Sequence, residues 1–169
     1  MLFRSTEAVH TALRGLFGDR ISAPVTLGPS IHATFDPLIT RELFTALRDR
    51  EDLAFHHLSF VSGVDRGDAF EVVYGLDSYR RRDTLLLKAR LDRQSPKIAS
   101  IHDLYEGAGW HERETFDLFG IEFEGHPDLR RLLMPDDWEG FPLRKDYQEA
   151  ASYHGIPTSR TARTDGRPA

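Results

Sequence analysis

The 169-residue chain contains no cysteine. Thiolates are the usual ligands of iron–sulfur clusters, so the sequence predicts that this chain holds no such cluster by itself, and a disulfide is excluded as well. No apolar run approaches the ~20 residues that span a bilayer. The first residues also lack the continuous apolar core of a signal peptide. We therefore expect contact with a membrane only through partner proteins.

The chain also has no excess of basic residues. The formal net charge is −5 and the pI is about 5.9, whereas nucleic-acid-binding proteins usually carry a basic surface. Residues 78–97 form one local stretch rich in arginine and lysine, but aromatic residues that could stack on bases are sparse there. We expect a solvated face or a protein contact at this stretch, and no nucleic acid.

The periodicity of apolar residues changes along the chain. Helical spacing predicts one helix that ends at Gly18 and a second that starts near Asp36 and Pro37. Between residues 58 and 91 the period becomes two, which is typical of strands with one buried face, and the connections are short enough for hairpins. The predicted fold class is α+β: a mainly antiparallel sheet with two N-terminal helices packed on one face, then a third helix and an extended, irregular C-terminal segment.

Three parts of one domain follow from these patterns. Residues 1–105 form the α+β part, in which Leu58 and Phe60 are expected on the same buried strand face. Residues 106–147 hold the third helix, which ends before Gly120, and a series of charged loops. Residues 148–169 are a polar tail that cannot bury enough apolar area to order alone. We expect the tail to be disordered, or ordered by a partner.

The third helix and its loops carry an unusual density of charge. Arg113 and Asp117 are spaced four residues apart, so they are predicted to pair on one helix face. Close carboxylates repel unless cations lie among them, and three of them fall within two turns, namely those of Glu112, Glu114 and Asp117. Two cationic pairs follow in the loops, Arg130–Arg131 and Arg144–Lys145.

Two interpretations of these charges are open from spacing alone. Guanidinium groups grip carboxylates with two parallel hydrogen bonds, so mixed-charge loops suit a subunit interface. Alternatively, the loops are held by ion pairs among their own residues. The spacing of the charged residues does not choose between these two possibilities.

A family resemblance favours the interface. The run Glu112-Arg113-Glu114, then Asp117-Leu118-Phe119, then His126, Arg130, Leu132 and Leu133 resembles the signature of the thirty-kilodalton subunit of respiratory complex I, which also occurs in bacterial NADH-quinone oxidoreductases. GHPDLRR, PDDWEG, PLRKDY and, upstream, FVSGVD at residues 60–65 are similar to the same family. One departure is Phe141, where the family usually has histidine, so a role of that histidine is not transferred.

The resemblance implies a non-catalytic structural subunit of the hydrophilic arm, which supports electron transfer from NADH to quinone coupled to proton translocation. Its expected partners are the large hydrogenase-like subunit at the quinone site and the subunit with the terminal iron–sulfur cluster. FMN and the iron–sulfur clusters are expected in partner subunits, and no cofactor in this chain. The implied location is peripheral, on the cytoplasmic face of a bacterial cell membrane.

The resemblance and the charge pattern together assign the charged segment to a subunit interface. We predict no catalytic, cofactor-binding or metal-binding residue in this chain. The predicted interface residues are Glu112, Arg113, Glu114, Asp117, His126, Pro127, Arg130, Arg131, Arg144, Lys145 and Asp146.

Two alternatives belong to other functional classes. The first is the equivalent subunit of a membrane-bound nickel–iron hydrogenase or formate hydrogenlyase. The second is a stand-alone metal-binding enzyme, although the HExx run at His111 has Thr115 where a zinc helix needs its second histidine. The residue types for such a metal site are present in His102, His111, Glu112, Glu114, Asp117 and His126.

Overall fold

The computed structural model describes residues 4–23, 25–27 and 30–158. Their helices and strands, in chain order, are α1 (Arg4–Phe17), β1 (Val25–Leu27), β2 (Ser30–Phe35), α2 (Thr40–Asp49), β3 (His57–Asp65), β4 (Ala69–Ser78), β5 (Asp83–Asp92), β6 (Lys97–Ala99), α3 (Ala108–Phe119), β7 (Glu122–Glu124), β8 (Ser152–Tyr153) and β9 (Ile156–Pro157). Short 3-10 turns at Gly18–Arg20 and Pro37–Ile39 follow α1 and precede α2.

Five strands form the central sheet in the order β1-β2-β5-β4-β3. Neighbouring strands are antiparallel except β2 and β5, which run parallel. The tight connections between β3, β4 and β5 make the two hairpins that the sequence predicts. The α+β class with a mainly antiparallel sheet is therefore confirmed.

One face of this sheet carries the apolar core. The fully buried ring of Tyr74 in β4 lies 4.6 Å from the ring of Phe44 in α2 and 6.0 Å from that of Phe35 in β2. Val9 and Leu13 of α1 are buried in the same core. Full burial of one such apolar side chain contributes about 1.5–3 kcal/mol, so this core is what holds the two N-terminal helices on the sheet.

Phe60 corrects one strand prediction. The pairing of β3 with β4 shifts between Leu58 and Phe60, so that Leu58 lies opposite Leu76 but Phe60 lies opposite Gly75. This bulge leaves one extra residue in β3 and turns Phe60 to the other face of the sheet, where its ring covers Gly75. The expectation that Leu58 and Phe60 share the buried face is wrong, because period-two counting assumes an unbroken ladder.

The last third of the described chain is built around α3. Strand β6 precedes α3 in the chain and β7 follows it, and these two strands pair in parallel. Gly120, at φ +68°, ends the helix in the left-handed conformation that glycine adopts without strain. Residues 120–147 are mostly irregular. Of the tail, residues 148–158 include the β8–β9 hairpin, and residues 159–169 lie outside the described residues. No helix in the described ranges is long and apolar enough to cross a membrane.

Candidate subunit interface

Helix α3 is buried along one side and exposed along the other. Thr115 and Phe119 lie against Gly63 of β3, where a β-carbon would come within 2.7 Å of the Phe119 ring. Glu112 lies on the same side, whereas Asp117 lies near the opposite side and is covered by the following loop; both are fully inaccessible to solvent. Because a buried carboxylate must be paired or hydrogen-bonded, the partners of these two residues decide how the following loops are placed.

Asp117 organises the loop at residues 131–134. Its Oδ2 accepts hydrogen bonds from the backbone N–H groups of Leu132, Leu133 and Met134, at 3.0, 2.7 and 2.8 Å. Its Oδ1 lies 2.8 Å from Nη1 of Arg131. Burial alone would raise the pKa of Asp117, but these donors together hold that pKa below its ordinary value.

The predicted pair between Arg113 and Asp117 is wrong. Asp117 binds the loop at residues 131–134, whereas Arg113 donates to the carbonyl oxygens of Arg130 and Arg131, at 3.3 and 3.1 Å. Helical spacing permits the pair, but the loop at residues 131–134 supplies better-placed donors to the buried carboxylate. The Arg113 side chain therefore holds the backbone of the irregular segment.

Arg131 extends this attachment to the next loop. Its Nη2 donates to the carbonyl oxygens of Trp138 and Gly140, each at 2.9 Å. One guanidinium thus connects the α3 carboxylate with two loop segments, which uses its planar set of donors. Arg131 is predicted as an interface residue, but in the structure its side chain is engaged within the chain.

Glu112 is a second internal carboxylate. It accepts the hydroxyl hydrogen of Ser100 and, at 2.8 Å, the backbone N–H of Ile101. Burial raises the pKa of Glu112 to about 7 despite these two donors. The expectation that Glu112 and Asp117 face a neighbouring subunit is therefore corrected, because both carboxylates are inside the fold and satisfied there.

Arg144 lies over the C-terminal end of α3. Its Nε donates to the carbonyl oxygen of Phe119 at 2.6 Å, and its guanidinium lies 5.0 Å from the ring centroid of Phe70 and 4.5 Å from that of Phe141. Burial lowers the pKa of Arg144. Phe141, which stands where the family usually has histidine, provides a ring on which Arg144 stacks. Arg144 is thus a packing residue within the chain, and its predicted interface role stays a prediction.

Asp65 anchors the same segment from the sheet and was missed as a site residue. Its carboxylate accepts the backbone N–H groups of Gly67 and Lys145, at 2.7 and 2.8 Å, and pairs with Arg93 at 2.7 Å. Burial opposes ionisation, but Arg93 and the two N–H groups lower the pKa of Asp65 to about 2. Arg93 also reaches Asp146 at 2.8 Å. The signal in the sequence was the FVSGVD motif, which ends at Asp65.

The remaining predicted interface residues are partly or wholly exposed. Half-buried His126 accepts the Asp128 backbone N–H at Nδ1, at 3.0 Å, so its Nε2 carries the hydrogen that is donated to the Gly109 carbonyl oxygen, at 3.1 Å. Burial lowers its pKa. The exposed members of the predicted set are Glu114, Pro127, Arg130, Lys145 and Asp146.

Three large apolar side chains, one on α3 and two in the loops attached to it, are exposed. None of the three was predicted from the sequence as a site residue. Trp110 of α3 is 63% exposed, Leu133 is 60% exposed and Leu143 is 52% exposed. Leu133 is attached to α3 through Asp117, and the Leu143 N–H donates to the carbonyl oxygen of Leu118, at 3.1 Å. We call Trp110, Leu133 and Leu143 the α3 apolar surface. Exposed apolar groups held by a rigid scaffold are typical of protein contacts.

The candidate metal ligands do not converge. The rings of His102 and His126 are 5.6 Å apart, but Glu112 is turned to Ser100 and Asp117 to the loop at 131–134. In the described ranges no group of three histidine or acidic side chains could hold a metal ion. The chemistry of the donor set therefore does not favour the stand-alone metal enzyme.

Comparisons with known proteins agree on one family. The family model "Respiratory-chain NADH dehydrogenase, 30 Kd subunit" matches residues 33–153. An NADH-quinone oxidoreductase subunit of Chloroherpeton thalassium is 46% identical over 112 residues, and one of Roseiflexus sp. is 52% identical over 103 residues. These alignments cover 65% and 59% of this chain, but the chain spans only 47% and 59% of the two relatives.

A third relative aligns over almost its whole length. An F(420)H(2) dehydrogenase subunit of Methanosarcina mazei is 44% identical over 161 residues, which is 93% of this chain and 96% of the relative. Among solved structures, a trypsin-resistant fragment of Nqo5 has a TM-score of 0.60 at 24% identity and covers 72% of this chain and 99% of the fragment. A chain of an archaeal membrane-bound sulfane sulfur reductase has a TM-score of 0.73 at 21% identity, over 86% of both chains. These two structures share the fold.

Proposed function

This chain belongs to the family of the 30-kDa subunit of respiratory-chain NADH dehydrogenase, and from this premise we propose that it is a non-catalytic structural subunit of an oxidoreductase complex. The observation that carries the proposal is the contrast at α3. Buried charges at Asp117 and Asp65 fix an irregular segment on the helix and the sheet, while the α3 apolar surface stays exposed. A rigidly supported, exposed apolar surface is what a docking subunit needs.

The proposed complex transfers electrons from NADH to quinone and couples this transfer to proton translocation. The proposed neighbours are the large hydrogenase-like subunit and the subunit with the terminal iron–sulfur cluster, with FMN and the clusters held by partner chains. The chain would lie in the peripheral arm, on the cytoplasmic face of the membrane. Family membership and the names of the two NADH-quinone oxidoreductase relatives support this assignment.

A second electron donor has a specific observation in its favour. The relative that aligns over 96% of its own length is named as a subunit of an F(420)H(2) dehydrogenase. The same docking role suits either donor, because donor oxidation would take place on another subunit. The equivalent place in a nickel–iron hydrogenase or formate hydrogenlyase is the remaining alternative, and nickel in the large partner would identify it.

Affinity purification tests the proposal. The tagged chain is purified from detergent-solubilised membranes of its own organism and compared with a variant carrying Trp110→Ala, Leu133→Ser and Leu143→Ser. We expect the wild type to recover subunits with flavin and iron–sulfur clusters together with quinone reductase activity, and the triple variant to lose most of both. Leu38→Ser is the matched control, because Leu38 is 90% exposed outside this surface. Equal recovery with all three proteins would refute the docking role.

A further inference from the structure

A small pocket lies between the loop at residues 137–139 and the C-terminal hairpin. Its volume is about 230 Å³, below the roughly 300–1,000 Å³ of pockets that hold drug-sized ligands. The size therefore suits a single side chain better than a cofactor. The lining residues used below are Trp138, Tyr147, Tyr153, Asp137, Glu139 and Glu149. We call this cavity the Trp138 pocket.

Aromatic rings and carboxylates form its walls. The rings of Trp138 and Tyr153 are 5.1 Å apart, and the Tyr153 hydroxyl donates to Asp137 at 2.8 Å. His154 also lies on Asp137, at 2.7 Å. Asp137 therefore has internal partners and holds the hairpin, while Glu139 and Glu149 have no ion pair among the described residues.

No lysine or arginine in the described part of the chain lines this pocket. The arginines that precede it in the loops are committed elsewhere, since Arg131 and Arg144 are held by internal carbonyl groups. The same imbalance extends over residues 106–158, where the exposed basic residue without an ion pair is Lys145. The exposed acidic residues without an ion pair in that range are Glu106, Glu114, Glu124, Asp136, Glu139 and Glu149.

The chemistry of these walls selects a cation. A guanidinium can stack on an aromatic face while its N–H groups bind carboxylates, and it is favoured over the more strongly hydrated ammonium group in such sites. The aromatic and acidic walls therefore fit an arginine side chain.

We propose that the Trp138 pocket binds an arginine side chain presented by a partner subunit. The inference rests on the proposed function for the source of the arginine. It narrows the mixed-charge interface that the sequence predicts: at this pocket the acidic groups of this chain bind a basic partner, since Arg131 and Arg144 are used internally.

Fluorescence titration tests the binding chemistry on the full-length chain. Trp110→Phe leaves Trp138 as the remaining tryptophan, and this protein is titrated with N-acetyl-arginine amide at constant ionic strength. We expect a saturable change in Trp138 emission, at least about tenfold weaker with the neutral N-acetyl-citrulline amide. Glu139→Gln with Glu149→Gln should weaken the arginine response about tenfold, whereas Glu106→Gln with Glu124→Gln should leave it unchanged. Equal responses to both probes would refute a cation site.

The source of the arginine is tested separately. Residues 159–169 contain Arg160, Arg163 and Arg167, so the titration is repeated on a chain that ends at Thr158. Binding by the shortened chain alone would mean that the pocket is filled from this chain, which contradicts a partner source. With a partner source, both forms bind equally, and Glu139→Gln with Glu149→Gln reduces recovery of the complex without changing the Tm of the free chain.

The two proposals can fail independently. Loss of complex recovery in the triple variant of the α3 apolar surface, with equal responses to both probes in the titration, would leave the subunit role standing and remove the arginine site. A selective titration with no recovery of partner subunits by the wild type would keep the cation-binding chemistry of the Trp138 pocket and remove the subunit role together with the partner source of the arginine.

Discussion

The guanidinium of Arg131 lies 2.8 Å from the fully buried carboxylate of Asp117. This ion pair joins α3 to a loop that has no regular secondary structure and that covers Asp117. Removing one member of a buried pair leaves an uncompensated charge, which typically costs about 3–5 kcal/mol. The position of Leu133 on the α3 apolar surface therefore depends on an ion pair within this chain.

Asp117→Asn should destabilise the chain by roughly 3 kcal/mol. The asparagine amide would face backbone N–H groups that now donate to Oδ2, and Arg131 would lose its counter-charge. Urea unfolding measures the loss, and amide hydrogen exchange should show faster exchange at residues 132–134. Glu114→Gln on the exposed side of the same helix is the control, with a change within about 0.5 kcal/mol. Equal effects of the two changes would contradict the anchoring role of Asp117.

Glu112 should make stability fall as the pH rises from about 5 to 8. Its folded-state pKa of about 7 lies above its ordinary value of 4.5, so the folded chain binds the proton more tightly than the unfolded chain does. The free energy of unfolding then decreases between these two pKa values and levels off above the folded one. At 1.36 kcal/mol per unit of pKa, the full change is roughly 3 kcal/mol.

The difference between wild type and Glu112→Gln isolates this contribution, because other titrating groups such as His126 are common to both proteins. The difference should change across this pH range in urea unfolding experiments. The contribution of Asp65 to stability changes with pH in the opposite direction and at lower pH. Its folded pKa of about 2 lies below its ordinary 3.8, so its contribution is present above pH 4 and is lost as the pH falls toward 2. If the difference in unfolding free energy between wild type and Glu112→Gln did not depend on pH, Glu112 would ionise as an ordinary exposed group.

Arg144 and Lys145 are neighbours with different expected roles. Arg144→Glu should lower the Tm clearly, because it removes the contacts with Phe70, Phe141 and the Phe119 carbonyl and places a carboxylate there. Lys145→Glu should leave the Tm almost unchanged, since the Lys145 side chain is exposed and only its backbone N–H binds Asp65. Thermal unfolding of both variants is the measurement. Unchanged stability in Arg144→Glu would contradict the packing role of Arg144.

Substitutions at two glycines of the sheet test how tightly α3 packs on β3. Gly63→Ala should cost about 1–3 kcal/mol, because the new methyl group meets Thr115 and Phe119, which are packed between α3 and β3. Gly75→Ala should cost less, because the ring it meets belongs to Phe60 on the open face of the sheet, where the side chain can move away. Denaturant unfolding ranks the two variants. The reverse order would show that α3 is loosely attached to β3.

Most of the fold follows from local patterns in the sequence. The change of period from helical to two predicts the hairpins of β3, β4 and β5, and Gly120 marks the end of α3. These signals are local, because neighbouring residues and turn glycines carry them. The pairing of β2 with β5 was not predicted, since parallel neighbours are joined through distant parts of the chain.

The site was harder to predict because its charges have long-range partners. Asp117 pairs with Arg131 rather than with Arg113, and Asp65 binds the backbone of Lys145 eighty positions away in the sequence. Spacing within one helix gives no information on which side will be buried by a later loop. The internal contacts of Arg144 were not predicted for the same reason: a cationic residue in a polar loop resembles an exposed one until its aromatic neighbours are known.

A single-particle structure of the intact membrane complex would show whether the α3 apolar surface docks onto another subunit. We expect Trp110, Leu133 and Leu143 to contact a different polypeptide and to lose most of their exposure, while Asp117 and Arg131 keep their internal pair. A map in which these three apolar side chains face solvent would contradict this expectation.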